Sequence, residues 1–298
     1  MTIRLGTRGS ALALAQARWV AERLEGEVEL VPIRTSGDER RDGAPEIADK
    51  TRFVKEIEEA LLAGEIDLAV HSAKDVPGEL PQGLAIVGVP ERADARDALC
   101  GAASLDELSE GALVGTASLR RRAALLALRP DLRIGELRGN VDTRLRRLEE
   151  GAYDAIVLAC AGLARLGRAD RGVPLAELVP AAGQGCLALE GRAGDESAAR
   201  AASAVTDLNA LSSLTAERAL VGALDATCHT PVGAHAEGTG EALRLTAFVG
   251  LPDGSHWIRD SLEGPAAEPA QLGTAVAGRL RAAGAGELLA AAELAAPR

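Results

Sequence analysis

The sequence is poor in aromatic residues and in cysteine, and both scarcities limit what the protein can be. Only five of its 298 residues are aromatic, so the core must be built from aliphatic side chains and alanine. The four cysteines, at positions 100, 160, 186 and 228, lie far apart and form no CxxC pair or Cys/His spacing. This pattern argues against a disulfide framework and against a structural zinc site.

Long apolar runs and nucleotide-binding motifs are also missing. No stretch reaches the roughly 18 apolar residues that span a bilayer, and Met1 leads directly into Ile3 and Leu5 without a signal-peptide pattern. Neither GxxxxGK[ST] nor GxGxxG occurs. We therefore expect a cytoplasmic protein that has no membrane partner and no nucleotide ligand.

Positive charge is scarce overall but concentrated in one segment. The chain has 33 basic and 44 acidic residues, a net charge of -11, so its surface as a whole repels nucleic acid. Segment 116–147 is the exception, because it holds nine arginines against three acids. Any one of these arginines could simply lie on a solvated helix face, but the cluster as a group predicts a local anion site.

Short strand-like runs alternate with alanine-rich helical stretches over residues 3–71, and the pattern restarts over 112–159. This alternation predicts two α/β modules with mostly parallel sheets. Segments 89–96 and 179–185 carry proline, glycine or charge and are candidate crossovers between the modules. From residue 211 onward the pattern changes to a helix, two strands and a helical tail over 272–294, which predicts a separate α+β domain.

Predicted strand-to-helix junctions carry the groups that an anion site needs. Segment 115–118 follows a strand and opens a helix, so backbone N–H groups and two hydroxyls can face an anion. Arg120 and Arg121 fall in the first turn of that helix, where arginine is unfavourable for the helix dipole, which indicates a negatively charged ligand. Similar junctions occur at 6–10 and 138–144. We expect them to meet in a cleft that binds several carboxylates or phosphates.

Two other segments carry reactive groups. In segment 71–77, HSAKDVP, the carboxylate of Asp75 lies beside Lys74, would remain ionised and could stabilise a cation, although such polar residues are often only turn formers. We expect His71 to be a hydrogen-bonded structural histidine. Cys228 stands next to His229 in a predicted loop, which makes it the thiol best suited to modification, with a small buried apolar role as the alternative.

Taken in order, six segments resemble the porphobilinogen deaminase, or hydroxymethylbilane synthase, family. They are RLGTRGSALAL at 4–14, VHSAKDVP at 70–77, GTASLRR at 115–121, LRGNVDTR at 137–144, PAAGQG at 180–185 and the Cys228 loop. The resemblance covers nearly the whole chain and weakens after about residue 235. It implies an α/β protein of three domains, two of them similar to the type 2 periplasmic-binding fold. These two would be 1–90 with 186–207, and 91–185, followed by a smaller C-terminal α+β domain, 208–298, that carries the cysteine loop.

The resemblance also implies an activity. Members of the family are transferases of porphyrin and haem biosynthesis that condense four porphobilinogens head to tail into hydroxymethylbilane and release ammonia each time. Porphobilinogen carries an acetate and a propionate, so the arginines would meet a polyanion. A dipyrromethane cofactor would be attached covalently through Cys228. We expect a monomer that needs no metal and binds no nucleic acid.

Site roles are implied position by position. Asp75 would be the catalytic residue. The cofactor contacts would be Ser72, Lys74, Asp75, Thr116, Ser118, Arg120, Arg121, Arg138 and Gly139, and the substrate contacts would be Arg8, Ser10, Arg144, Gln184, Lys50 and Phe53. Lys50 and Phe53 fall in segment 48–53, which matches the lid of the family but departs from its pattern, because ADKTRF stands where GGKGLF is common. Thr227 replaces the usual glycine before the cysteine.

Two alternatives stay open at this point. An anion-binding module, such as a solute receptor or the effector domain of a regulator, would share the α/β lobes but would not need Asp75 or the Cys228 loop. An inactive homologue would keep the fold without the activity. The intact mass of the purified chain separates the three hypotheses, because only a loaded enzyme exceeds its sequence mass by a dipyrromethane.

Overall fold

The computed structural model describes residues 2–36, 54–226, 230–238 and 240–295. Three of the predicted site residues, Lys50, Phe53 and Cys228, lie outside these ranges. The chain divides into two compact units, 1–93 with 186–211 and 94–185 with 212–298. Each unit is described by itself.

The elements follow in chain order. The strands are β1 (Ile3–Arg8), β2 (Val28–Ile33), β3 (Leu68–Ser72), β4 (Leu84–Gly88), β5 (Asp97–Cys100), β6 (Leu113–Gly115), β7 (Arg133–Gly135), β8 (Ala155–Ala159), β9 (Val173–Leu175), β10 (Leu187–Arg192), β11 (Val232–Glu237), β12 (Ala242–Gly250) and β13 (Trp257–Pro265). The helices are α1 (Ala11–Ala21), α2 (Lys55–Leu62), α3 (Leu119–Leu128), α4 (Val141–Glu149), α5 (Cys160–Arg165), α6 (Glu196–Ala204), α7 (Leu208–Ala223), α8 (Pro269–Ala282) and α9 (Ala285–Ala295).

The first unit is built on a five-stranded sheet with the order β2-β1-β3-β10-β4. Strand β1 runs parallel to β2 and β3, while β10 runs antiparallel to both β3 and β4. Leu5, Leu68 and Leu189 are fully buried where the helices cover this sheet. Because β10 is reversed, its first residue lies beside the last residue of β3, and Leu187 pairs with Ser72. The carboxyl ends of β1 and β3 therefore share one edge with the start of β10.

The second unit contains a sheet of the same kind, with the order β7-β6-β8-β5-β9. Strand β6 is parallel to β7 and β8, and β5 is the reversed strand. Asp97, the first residue of β5, pairs with Ala159, the last residue of β8. This register places Asp97 at the edge where β6 and β7 also end.

The same unit holds a second, three-stranded antiparallel sheet, β11-β12-β13, packed against helices of the C-terminal region. The predicted helical tail over 272–294 is present as two helices, with Gly284 in the turn that separates α8 from α9. Gly284 has a φ of 98°, a left-handed conformation that favours glycine. The expected fold class, two α/β domains and a smaller α+β C-terminal domain, is confirmed. No helix in the described ranges combines the length and hydropathy needed to cross a bilayer.

Candidate active site

In the first unit, predicted site residues meet at the sheet edge in a small cavity of about 60 Å³. Its polar lining consists of Arg8, Ser10, Gln16, His71, Ser72 and Asp75. Arg8 ends β1 and Ser10 caps α1, where its side chain accepts a hydrogen bond from the backbone N–H of Ala13. The sequence analysis missed Gln16, which is buried and donates from Nε2 to Ser72 Oγ over 2.8 Å.

Asp75 lies on a short 3₁₀ turn, 73–75, directly after β3. The turn is anchored to the reversed strand because the Ala73 N–H donates to the Cys186 carbonyl over 3.0 Å. Asp75 and Lys74 are both half-buried on this turn. The turn therefore holds the Asp75 carboxylate at the cavity, which is also lined by Arg8 at the end of β1.

In the second unit, two helices begin at the corresponding sheet edge. Ser118 caps α3 by accepting from the Arg121 N–H, and the buried Thr116 accepts from the Ser118 N–H over 3.1 Å. Asn140 caps α4 by accepting from the Thr143 N–H over 2.8 Å. Gly139, which precedes this cap, has a φ of 104°. Hydroxyls and helix N-termini thus collect at one edge, an arrangement suited to anions.

Arg120 and Arg121 are buried, and both bind the fully buried carboxylate of Asp97. Arg120 Nη1 lies 2.7 Å from Asp97 Oδ2, and Arg121 Nε lies 2.9 Å from Oδ1. The side chain of Gln184 donates to the same Oδ1 over 2.9 Å and to the Ala95 carbonyl over 2.7 Å. Burial by itself raises the pKa of Asp97, but the charges of the two arginines outweigh it and lower the pKa below its ordinary value.

Asp97 accounts for part of the negative charge that the first-turn arginines require. It supplies one carboxylate for two guanidinium groups. Within the described residues, the buried Nε of Arg120 has no hydrogen-bond partner. The cluster therefore keeps a positive charge and a buried donor for an anionic group. Sequence reasoning missed Asp97, although a carboxylate heading the apolar strand β5 signals a buried partner.

Arg138 and Arg144 differ from this pair because their side chains remain more accessible. Arg138 is exposed, and its Nε lies 2.7 Å from Glu136 Oε1. Arg144 is half-buried on α4, and its Nε donates to the Gly139 carbonyl over 2.7 Å. Both arginines follow β7 at the same sheet edge, where they can reach a ligand carboxylate.

The PAAGQG segment, 180–185, is held by a second buried acid that sequence reasoning missed. Glu217 on α7 is fully buried and accepts from the Gly183 N–H over 2.6 Å and from the Ala236 N–H over 2.7 Å. It therefore ties α7 and β11 to the loop that carries Gln184. The sequence offers one sign of such a residue, which is an acidic side chain at an otherwise apolar position of a helix.

His71 departs from the expected hydrogen-bonded histidine. It is buried, and its Nε2 lies 3.0 Å from Glu190 Oε2, but this contact lacks hydrogen-bond geometry. Among the cysteines, burial raises the pKa of Cys100 and of Cys160 to about 11, so both are neutral thiols. Cys186 is buried as well. Over the described ranges, no group of three or more His, Cys, Asp or Glu side chains is arranged to hold a metal ion.

Two family models and the curated relatives name the same family over nearly the whole chain. A family model described as "Porphobilinogen deaminase, dipyromethane cofactor binding domain" matches residues 3–200, and "Porphobilinogen deaminase, C-terminal domain" matches residues 211–282. A porphobilinogen deaminase of Deinococcus radiodurans is 48% identical, covering 97% of this chain and 98% of that protein. The one from Thermus thermophilus is 48% identical, covering 96% and 97%. Among solved structures, an ABC transporter periplasmic substrate-binding protein from Coxiella burnetii covers 70% of this chain and 94% of its own, at 17% identity and a TM-score of 0.42.

Proposed function

The chain belongs to the porphobilinogen deaminase family, and from this premise we propose how its own residues carry out the reaction. Its function is that of a hydroxymethylbilane synthase, a transferase of tetrapyrrole biosynthesis. The substrate is porphobilinogen, four molecules of which are joined head to tail with loss of ammonia. Membership of this family argues against the first alternative, a simple anion-binding module. The ammonia-release assay below tests the second alternative, an inactive homologue.

The chain carries a domain for a dipyrromethane cofactor. When bound, this group supplies the free pyrrole α-carbon to which the first substrate is joined. The residues of the second unit fit its carboxylates, because the buried Nε of Arg120 has no hydrogen-bond partner among the described residues and belongs to a cluster of net positive charge. Thr116, Ser118, Arg138 and the N–H of Gly139 add donors at the same edge. The covalent link would be the thioether of Cys228.

The position of Asp75 is the observation that carries the proposed mechanism. Its carboxylate lines a cavity together with Arg8 and Ser72, at the end of β3. When ammonia leaves the aminomethyl group, positive charge develops on the pyrrole ring. A fixed carboxylate beside the ring N–H stabilises that charge.

The remaining residues bind and orient the substrate in this proposal. Arg8 and Ser10 hold a carboxylate of porphobilinogen at the Asp75 cavity, and Ser72 and Lys74 add donors from the turn. Arg144 stays a proposed substrate contact of the second unit, at the sheet edge where Gln184 keeps Asp97 in place. Lys50 and Phe53 of the 48–53 segment stay predicted substrate contacts. The domain boundaries after 90, 185 and 207, the monomeric state and the cytoplasmic location also stay predictions.

Substitution of Asp75 tests the mechanism. Asp75→Asn keeps the shape but not the charge, so it should abolish most of the single-turnover rate of ammonia release. Asp75→Glu moves the charge by one methylene and should cost about a hundredfold. Both variants should keep native-like melting. The matched control is Glu79→Gln, since Glu79 is an exposed acid on the same segment and should behave like wild type.

A turn-forming role for Asp75 makes the opposite prediction, because asparagine is a good turn residue. Ammonia release by Asp75→Asn at nearly the wild-type rate would therefore refute the catalytic role. Absence of ammonia release from the cofactor-loaded wild type would show an inactive homologue.

A further inference from the structure

Three ionisable side chains are buried together in the first unit, beside the Asp75 cavity. Glu58 lies on α2, His71 on β3 and Glu190 on β10, with exposed fractions of 7%, 5% and 1%. Glu190 pairs with Ala69, two residues before His71, so both side chains point to the same face of the sheet. Helix α2 covers this face, because Ala69 packs against its apolar residues. We call these three residues the acid-histidine cluster.

The acid-histidine cluster is costly to bury. Among the described residues, neither carboxylate oxygen of Glu190 nor Nε2 of His71 has a hydrogen-bond partner, although these two groups approach within 3.0 Å. The pKa of Glu58 is raised to about 7, chiefly by burial and also by the charges of Glu190 and Glu59, while His71 opposes the rise. Buried groups that change their proton content near neutral pH are typical of functional sites.

The cluster also reaches the cavity in which the reaction is proposed. His71 lines that cavity together with Asp75, and so does Val54, which immediately precedes α2. Among the described residues, the charged groups that act on Glu58 are Glu190, His71 and Glu59, and Arg8 and Asp75 line the cavity beside His71. His71 therefore lies between the Asp75 cavity and the buried carboxylates of Glu190 and Glu58.

The reaction requires a proton acceptor in each condensation. The C–N bond of a protonated aminomethyl group, CH2–NH3⁺, breaks, and neutral ammonia leaves with the electron pair of that bond. A new C–C bond forms at a pyrrole carbon, whose C–H bond then breaks and returns its electron pair to the ring. The released proton finally leaves with ammonia as ammonium, so atoms and charge balance. Until then it needs a temporary site, and Asp75 must stay ionised to do its own work.

We propose that His71, Glu190 and Glu58 are this temporary proton site. His71 takes the proton from the cavity side, and the two glutamates share it until ammonia carries it away. Since Asp75 is not consumed as the base, it keeps its negative charge beside the ring through the next loss of ammonia. This inference rests on the proposed function, because the cluster serves the same cavity.

The test compares Glu58→Gln with Glu59→Gln in the cofactor-loaded enzyme. The two residues are neighbours on α2, but Glu59 is largely exposed. Wild type should show a kcat that rises with pH through about 7, and Glu59→Gln should show the same rise at slightly lower pH, because the charge of Glu59 makes a small contribution to the raised pKa of Glu58. Glu58→Gln should flatten this rise and lower kcat about tenfold at pH 8, with KM nearly unchanged. Glu190→Gln provides a second variant with the same expectation.

Thermal melting supplies a readout that does not depend on turnover. A carboxyl whose pKa is raised in the folded state stabilises the fold below its ordinary pKa, and this stability is lost as pH rises through about 7. The melting temperature of Glu58→Gln should therefore gain on wild type between pH 5 and about 8, whereas that of Glu59→Gln should not.

The outcomes separate failure of the proton-site inference from failure of the proposed function. A wild-type pH profile of kcat in both Glu58→Gln and Glu190→Gln overturns the inference, even if the melting difference is seen, because the cluster would then titrate without serving the reaction. A difference in melting temperature between Glu58→Gln and wild type that stays the same from pH 5 to about 8 also overturns the inference. If wild type itself neither carries the cofactor nor releases ammonia, the proposed function fails instead.

Discussion

Asp97 shows how much one residue can decide in this protein. Its carboxylate is fully buried and binds both Arg120 and Arg121, with Gln184 as a further donor. Removing one member of a buried ion pair leaves an uncompensated charge, which costs far more than loss of a surface pair. Arg120 and Arg121 therefore support the fold as well as the proposed anion site, and a substitution of either is expected to affect both.

Asp97→Asn should destabilise the protein by about 3 to 5 kcal/mol, because two guanidinium groups would remain buried without a counter-charge. The matched control is Asp94→Asn, three residues earlier, whose partner Arg96 is half exposed. That change should cost less than about 1 kcal/mol. Urea unfolding measures both, and equal losses for the two variants would contradict the role of Asp97.

Cys228 is a second single residue with a large expected effect, since the proposed cofactor link is made through its sulfur. Wild-type protein should exceed its sequence mass by a dipyrromethane, and Cys228→Ser should match its own sequence mass. Cys160→Ser is the control, because Cys160 is a half-buried thiol of raised pKa and should keep the adduct. Intact-mass measurement decides this, and an adduct that survives in Cys228→Ser would disprove the assignment.

At the scale of elements, the small residues of the C-terminal helices have a packing role. A Cβ at Gly273 of α8 would overlap the backbone oxygen of Ala216 and lie 2.8 Å from Cβ of Ala219, so α8 crosses α7 at close range. Gly278 lies on the same helix and has nothing within 4 Å of such a Cβ. Helix propensity favours alanine at both positions, but sterics oppose it at only one of them.

Gly273→Ala should therefore destabilise the protein by about 1 to 3 kcal/mol through overpacking. Gly278→Ala should be neutral or stabilise it by up to about 1 kcal/mol. Chemical unfolding of the two variants separates packing from propensity. A gain in stability for Gly273→Ala would show that the helices can move apart at little cost.

At the scale of the whole molecule, charge is distributed unevenly. The chain carries a net charge of -11, whereas segment 116–147 holds nine arginines against three acids. A substrate with two carboxylates is repelled by the molecule as a whole and attracted by this segment. Exposed charges are screened beyond a Debye length of about 10 Å at 0.1 M salt, so only nearby arginines act strongly.

KM for porphobilinogen should therefore rise several-fold between about 0.05 and 0.5 M salt, while kcat changes little, because salt weakens the attraction before it affects bound groups. Steady-state kinetics at constant pH measure this. A KM that falls with salt would show that repulsion by the net negative charge dominates instead.

Local pattern was sufficient for elements with a clear period or a strong cap. The alternation of strand-like and helical runs predicted over 112–159 agrees with β6, α3, β7, α4 and β8, and the motifs at 4–14 and 115–121 led to the family. Ser118 and the predicted start of α3 agree because capping involves only residues within one turn. The sequence by itself therefore determined the fold class, the family and the positions worth testing.

Only the tertiary structure decided which strand is reversed in each sheet and which buried groups meet. Neither β5 nor β10 was predicted, and each pairs with strands distant along the chain. Asp97 meets Arg120 and Glu190 meets His71 through these two strands, at separations of 23 residues and more than a hundred. The period of the hydrophobic pattern shows which face of an element packs against the core. It does not show which distant polar group will be the neighbour of that element.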